Sequence, residues 1–174
     1  MVKRAVALAL SMALSQASLA QQPMPTVEAL RFLIGKWAGE GTAEVGPGSG
    51  YFTFESSLKD RTLIRKNHAE YPATAGRPVV THDDLLVVYA DSAGGKLRGF
   101  YTDSEGNTIN YVVTISADRK TILFMSDPRD PAPHYRLTYV VTQPDTMTLS
   151  FEAGSASNPD DFKKFIEGVV RRVR

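Results

Sequence analysis

The chain contains no cysteine and only one tryptophan. Without thiols there are no disulfide staples, no thiolate nucleophiles, no Cys-based zinc sites and no thiolate-ligated haem. Histidine is scarce, with three residues, His68, His82 and His134. An excess of one charge is also missing: 20 Lys and Arg face 19 Asp and Glu, a formal net charge of +1. Nothing in that balance favours DNA, RNA or anionic lipid as a partner. There is no internal repeat and no low-complexity stretch. What is there is ordinary globular material, 43% hydrophobic and 22% charged over 174 residues. That composition excludes a disordered or collagenous chain, and the length suits one domain.

The longest apolar run is N-terminal. Lys3 and Arg4 precede Ala5 to Leu14, a run interrupted only by Ser11, and Ser18-Leu19-Ala20 places small residues where a signal peptidase reads. This predicts a signal peptide over residues 1–20. The run falls short of the roughly 20 apolar residues of a membrane span, and no cysteine follows it to carry a lipid. The expectation is an exported protein, periplasmic or secreted, without membrane insertion after cleavage. Removing Lys3 and Arg4 leaves 18 basic and 19 acidic residues, so the apparent basicity belongs to the targeting segment. Residues 21–25 read as a linker and 26–174 as a single domain, large enough for a core without staples.

Thr26 is placed to cap a helix running to about Ile34, with Val27, Leu30, Leu33 and Ile34 on one stripe and Gly35 to end it. From Lys36 onward the period changes to two. Candidate strands are Tyr51–Lys59, Thr62–Tyr71, Thr81–Ala90, Lys96–Thr102, Thr108–Ser116, Thr121–Ser126, His134–Thr142, Met147–Glu152 and Phe162–Val173. Gly168 inside the last suggests a bulge or a close approach. Turn chemistry separates them: Gly46-Pro47-Gly48-Ser49-Gly50, Asp91 to Gly95, Asp103 to Asn107, Ala117 to Lys120 and Gln143-Pro144-Asp145. The pattern predicts an all-β, antiparallel, up-and-down meander of about ten strands with one short N-terminal capping helix. Closure into a barrel removes its sticky edges. The polar alternates carry Lys, Arg, Glu and Asp, which would face lipid in an outer-membrane barrel, so the soluble form is favoured.

Leu33-Ile34-Gly35-Lys36-Trp37-Ala38-Gly39-Glu40-Gly41 carries G-x-W-x-G-x-G directly after the helix. This resembles the entry to nitrobindin and fatty-acid-binding-type barrels, and more closely a group of exported bacterial lipocalin-like domains of unknown function. Tyr89-Ala90-Asp91, Asp103-Ser104-Glu105-Gly106 and the basic strand Val169–Arg174 extend the resemblance over residues 27–174. It implies a lipocalin-like barrel with an interior ligand. On its own physical reading, Trp37 plugs one end of a barrel, while Gly39 and Gly41 remove side chains where strands coil or approach closely.

The nitrobindin branch carries haem on a His before its final strand, but Ala153 to Asp161 has none here. No cofactor is expected, with haem held by Tyr135 or Tyr139 as the alternative. If the 71–80 hairpin closes symmetrically, His68 and His82 are cross-strand neighbours and Asp84 shares the face of His82, an arrangement that could hold a metal. No metal site is expected from the sequence, because a one-residue register change destroys that arrangement. No nucleophile motif, P-loop or dinucleotide fingerprint is present. Asp127, Asp130, Asp160 and Asp161 read as solvated turn residues.

The aromatics are more informative. Phe52, Phe54, Tyr101, Tyr111, Phe124, Tyr135, Tyr139 and Phe151 all fall on apolar strand faces, and a barrel of this size can hold one small ligand. The leading expectation is an exported, non-enzymatic binder of a small, mostly apolar molecule, with Tyr101, Tyr111, Tyr135 and Tyr139 as polar contacts. Its alternatives are a haem or metal barrel, and an enzyme (cyclase, isomerase or hydrolase) built on a converging acid–base pair.

Overall fold

The computed structural model describes residues 26–43, 46–91 and 95–174. The expected signal peptide and linker, and positions 92–94 of the expected turn, lie outside the described residues. Ten strands follow one short helix: β1 Gly35–Ala43, β2 Gly46–Ser57, β3 Thr62–Tyr71, β4 Val80–Asp91, β5 Lys96–Asp103, β6 Thr108–Ile115, β7 Thr121–Ser126, β8 Tyr135–Gln143, β9 Thr146–Ala153 and β10 Lys163–Val173. Each pairs antiparallel with its neighbours in sequence, and β1 pairs with β10 to close the barrel. The expected ten-strand up-and-down barrel is therefore the fold that forms.

The helix over Val27–Leu33 is 3₁₀ rather than α. Val27, Leu30 and Leu33, all buried, recur every three residues, which is the turn length of a 3₁₀ helix. The Thr26 side chain makes no capping bond, contrary to expectation. Gly35 takes φ +124°, a conformation suited to glycine, as the chain turns from helix into β1.

Inward residues stack in rows across the closed sheet. One row runs Arg172, Trp37, Phe52, Asn67, Asp84 and Asp103. The next, toward the helix end, runs Gly35, Phe54, Arg65, Leu86, Tyr101 and Ile109. Below lies an aromatic core in which Tyr139 meets the edges of Phe52, Phe54 and Phe124, with ring centroids 5.9–6.3 Å apart. Trp37 is buried beneath the helix, and its Nε1–H donates to the Leu33 carbonyl at 2.8 Å.

At the opposite end one stretch of wall has no side chains. Gly168, Gly41 and Gly48 stand abreast on β10, β1 and β2, beside Gly39 and Gly50. A Cβ on Gly39 would come within 2.0 Å of the Val169 carbonyl oxygen, so the strands coil too tightly there for any side chain. One sequence reading is corrected here, and another is decided between its two alternatives. Gly46–Gly50 is the paired start of β2, not a turn. The β10 bulge lies between Lys164 and Ile166, while Gly168 marks a close approach in which a Cβ would meet the Glu40 carbonyl oxygen at 3.0 Å.

Candidate functional site

The bare glycine wall and the aromatic core leave a cavity of about 630 Å³ in the half of the barrel away from the helix. It opens where the β3–β4 and β5–β6 hairpins turn, and Tyr71, Val80, Glu105 and Asn107 belong to its lining. Its β8–β9 side is apolar: Leu137, Leu149, Tyr135 and Phe151. Tyr135 and Phe151 lie face to face, with centroids 5.7 Å apart and planes at 10°. Phe165 meets the edge of Phe151 at 6.2 Å and is largely exposed.

The β3–β5 side is polar, because alternation along three adjacent strands turns Arg65 and Asn67, His82 and Asp84, and Tyr101 and Asp103 inward together. Arg65 and Asp84 form an ion pair whose side chains are only 6% and 4% exposed. The same guanidinium donates to the Tyr139 hydroxyl, and Asn67 Nδ2 donates to Asp84 Oδ2 at 3.0 Å. His82 bridges outward from this pair. Its Nε2 lies 3.4 Å from Asp84 Oδ2 and 3.3 Å from the Tyr101 hydroxyl, and its Nδ1 lies 2.9 Å from Glu105 Oε2. Tyr101 Oη donates to Asp103 Oδ2 at 3.2 Å.

Glu105 is held by turn chemistry. Asp103 Oδ1 accepts the backbone N–H of Glu105 at 3.1 Å and of Asn107 at 2.8 Å, and Gly106 takes φ +87°. This Asx arrangement fixes the β5–β6 hairpin and sets Glu105 against His82.

These contacts decide the protonation states. The Asp84 hydrogen bond raises His82 above its ordinary value, against the pull of burial, and Glu105 adds to it. Burial pushes Asp84 up, but Arg65 and His82 outweigh it and hold the carboxyl below the usual range. Burial likewise pulls Arg65 down, and the charge of Asp84 more than reverses this. Burial pushes the Tyr101 and Tyr111 phenols well above their ordinary value, so both keep their protons; Tyr101 donates its own to Asp103, whereas the Tyr111 hydroxyl has no hydrogen-bond partner among the described residues.

Tyr101, Tyr111 and Tyr135 line the cavity. Tyr139 lies beneath it, fully buried and engaged with Arg65. Trp37 is outside the lining, whereas Gly39 and Gly41 belong to it. His68 and His82 would be neighbours only in a symmetric 71–80 hairpin, and that register does not form: His68 stands opposite Asp83 and His82 opposite Ala69. That one-residue difference turns His68 to the outer face, where it bonds Asp83 at 2.8 Å. Asp127 is also corrected. It is buried and held by Arg98 at 2.6 Å and Arg129 at 2.7 Å, and the Arg129 bonds keep its carboxyl well below the usual range. The sequence reading passed over Arg65, Asn67 and Glu105. The inward parity of β3 carried a signal for the first two, since a charged or amide side chain on the apolar face of a strand is costly unless paired.

Among the described residues, His82, Asp103 and Glu105 form one group whose ligand atoms lie within 4.8 Å of one another, a set able to accept a divalent cation. Neither His82 nor Tyr139 offers a free ligand atom to haem. His82 is the imidazole in the lining and both its ring nitrogens are engaged, while the Tyr139 oxygen accepts from Arg65.

No protein-family model matches the chain, and no curated protein sequence does either. Solved structures do. Rv2717c from M. tuberculosis is similar over 86% of this chain and 98% of its own, at 18% identity and a TM-score of 0.63. The S-type phycobiliprotein lyase CPES from Guillardia theta aligns over 86% of this chain and 94% of its own, at 11% identity and a TM-score of 0.49. EF1p2_mFAP2b bound to DFHBI aligns over 86% and 100%, at 13% identity and a TM-score of 0.38. The likeness to Rv2717c is one of fold, and that fold is a lipocalin-like barrel.

Proposed function

We propose that this protein is an exported carrier or sensor that holds one small, mostly apolar molecule inside the barrel, with Tyr101 and Tyr111 as polar contacts. The observation that carries the reading is the cavity itself. About 630 Å³ of space is kept open by a wall of glycines, within the range of small-molecule sites. A barrel that only needed to be stable would fill that volume with side chains. The one-sided polar cluster orients the guest, and the Tyr135–Phe151 stack receives its apolar body.

Two measurements test it. Native mass spectrometry of gently purified protein is expected to show a reproducible extra mass that denaturation releases. Nile red, a neutral apolar dye, is expected to brighten on binding one site per chain. Leu149→Trp, which places an indole into the cavity from β9, should abolish both signals. A clean apo mass together with no saturable dye binding, or dye binding unaffected by Leu149→Trp, would refute the reading.

A further inference from the structure

The carrier reading leaves the polar end of the guest undefined, and two buried groups without partners define it. Among the described residues, Arg65 Nε and the Tyr111 hydroxyl are buried polar atoms with no hydrogen-bond partner. Both side chains belong to the cavity lining, and the two residues are 5% and 1% exposed. Such orphans are rare in a folded interior, and each is costly until a partner arrives. Two of them on one lining point to a group that comes with the guest.

They lie where the polar wall meets the aromatic core. The Arg65 guanidinium donates to Tyr139, Tyr139 meets the edge of Phe124 at 5.9 Å, and Phe124 meets Tyr111 at 5.9 Å. Tyr111 stands opposite Gly99, where a Cβ would come within 3.3 Å of the Tyr111 Cβ and 3.2 Å of Leu86. The bare position leaves the phenol room against the wall. After burial, the charge of Arg65 is the strongest influence on that phenol. The two donors thus belong to one corner of the cavity.

Their chemistry fixes the group they await. A guanidinium N–H only donates, so nothing but an acceptor satisfies Arg65 Nε. The protonated Tyr111 donates as well, and a carbonyl oxygen has two lone pairs to take both bonds. That acceptor is uncharged. Asp84 already supplies the counter-charge of Arg65, and a guest carboxylate beside it would set two like charges on one guanidinium in a largely dry wall. Asp103 and Glu105, on the same lining, add to the repulsion.

We infer that the guest is an uncharged, carbonyl-bearing apolar molecule, a ketone or an ester. Its oxygen accepts from Tyr111 Oη and Arg65 Nε, and its apolar body lies against Tyr135 and Phe151. This rests on the carrier reading. The test compares three probes that share one apolar body, 2-acetylnaphthalene, 2-ethylnaphthalene and 2-naphthoate, in displacing Nile red at neutral pH. The ketone should bind about twentyfold more tightly than the hydrocarbon, the usual net worth of two hydrogen bonds, and more tightly than the carboxylate. Tyr111→Phe keeps the ring and removes one donor. It should weaken the ketone about fivefold and leave the hydrocarbon unchanged. In the infrared, the C=O stretch of the bound ketone should lie below its value in hexane. In Tyr111→Phe it should return only part of the way, because Arg65 Nε still donates. A ketone no tighter than the hydrocarbon means that the orphans are met by water or within the protein, and overturns the inference. So does a carboxylate that binds as tightly as the ketone, a ketone affinity that Tyr111→Phe leaves unchanged, or a stretch that returns fully in that variant. In each of those cases saturable Nile red binding leaves the carrier reading standing, and absence of that binding overturns both.

Discussion

Asp84→Ala is expected to destabilise the barrel by about 3–5 kcal/mol, the usual consequence of removing one partner from a buried ion pair. Arg65 cannot lose its proton, so it would remain charged and buried, with only the Tyr139 hydroxyl and no counter-ion. Replacing both partners with apolar residues of similar volume, Arg65→Met with Asp84→Leu, should recover most of the loss, because neither charge is then stranded. Urea unfolding followed by the emission of Trp37, the single tryptophan, checks both variants. A loss below about 1 kcal/mol for Asp84→Ala would mean that water entering the cavity already neutralises the pair, as at exposed sites.

The same network gives stability a dependence on pH. Asp84 is held below its ordinary value of 3.8, so its contribution is present above that value and is lost as pH falls through the folded value. His82 is raised above its ordinary value of 6.5, so its contribution is complete below that value and is lost as pH rises through the folded value. The melting temperature should therefore be highest in a window from about pH 4 to 6.5. His82→Gln should flatten the alkaline side and also weaken the acid side, because Asp84 then keeps Arg65 but loses His82 as a group that holds it down. A wild-type melting temperature that keeps rising through neutral and alkaline pH would remove His82 from the account.

The barrel was legible because period-two alternation and turn residues are local signals, and ten strands with short connections have one economical closure. The strand bounds of Thr62–Tyr71 and Thr121–Ser126 follow directly from side-chain pattern. Register was less legible. The facing of His68 and His82 depends on how the chain between Tyr71 and Val80 is folded, and a shift of one position exchanges inside for outside. Gly46–Gly50 reads as a turn because glycine and proline favour turns, yet here glycine is required by the closeness of neighbouring strands, which composition does not show. The site was half legible. Its tyrosines announced themselves as aromatics on apolar faces. Asp84 was legible only as a neighbour of His82, and Arg65 and Glu105 not at all, because charged residues read singly as surface and become interior only when partners from separate strands and turns are brought together.

Trp37→Ala carries the other large expected effect, about 3–5 kcal/mol for deleting a buried aromatic side chain. The loss should not be spread evenly. Trp37 ties three elements together: its Nε1–H holds the Leu33 carbonyl, its ring lies against the core, and the Arg172 guanidinium of β10 sits 4.2 Å from the ring centroid. Arg172 in turn donates to the carbonyls of Ile34 and Phe32 at 2.6 Å each, so the last strand clasps the end of the helix. Removing the indole loosens that clasp at the point where β1 and β10 close the barrel. Amide exchange should accelerate first over residues 27–34 and 170–173, and the β3–β5 wall should keep its protection. Trp37→Phe, which keeps an aromatic ring but loses the bond to Leu33, should cost about 1 kcal/mol. The functional consequence follows from the geometry: with the plug gone, the floor of the cavity becomes accessible to water, and Nile red bound in it should dim even in variant molecules that remain folded. Uniform acceleration of exchange across all ten strands would show instead that the plug and the wall open as one unit.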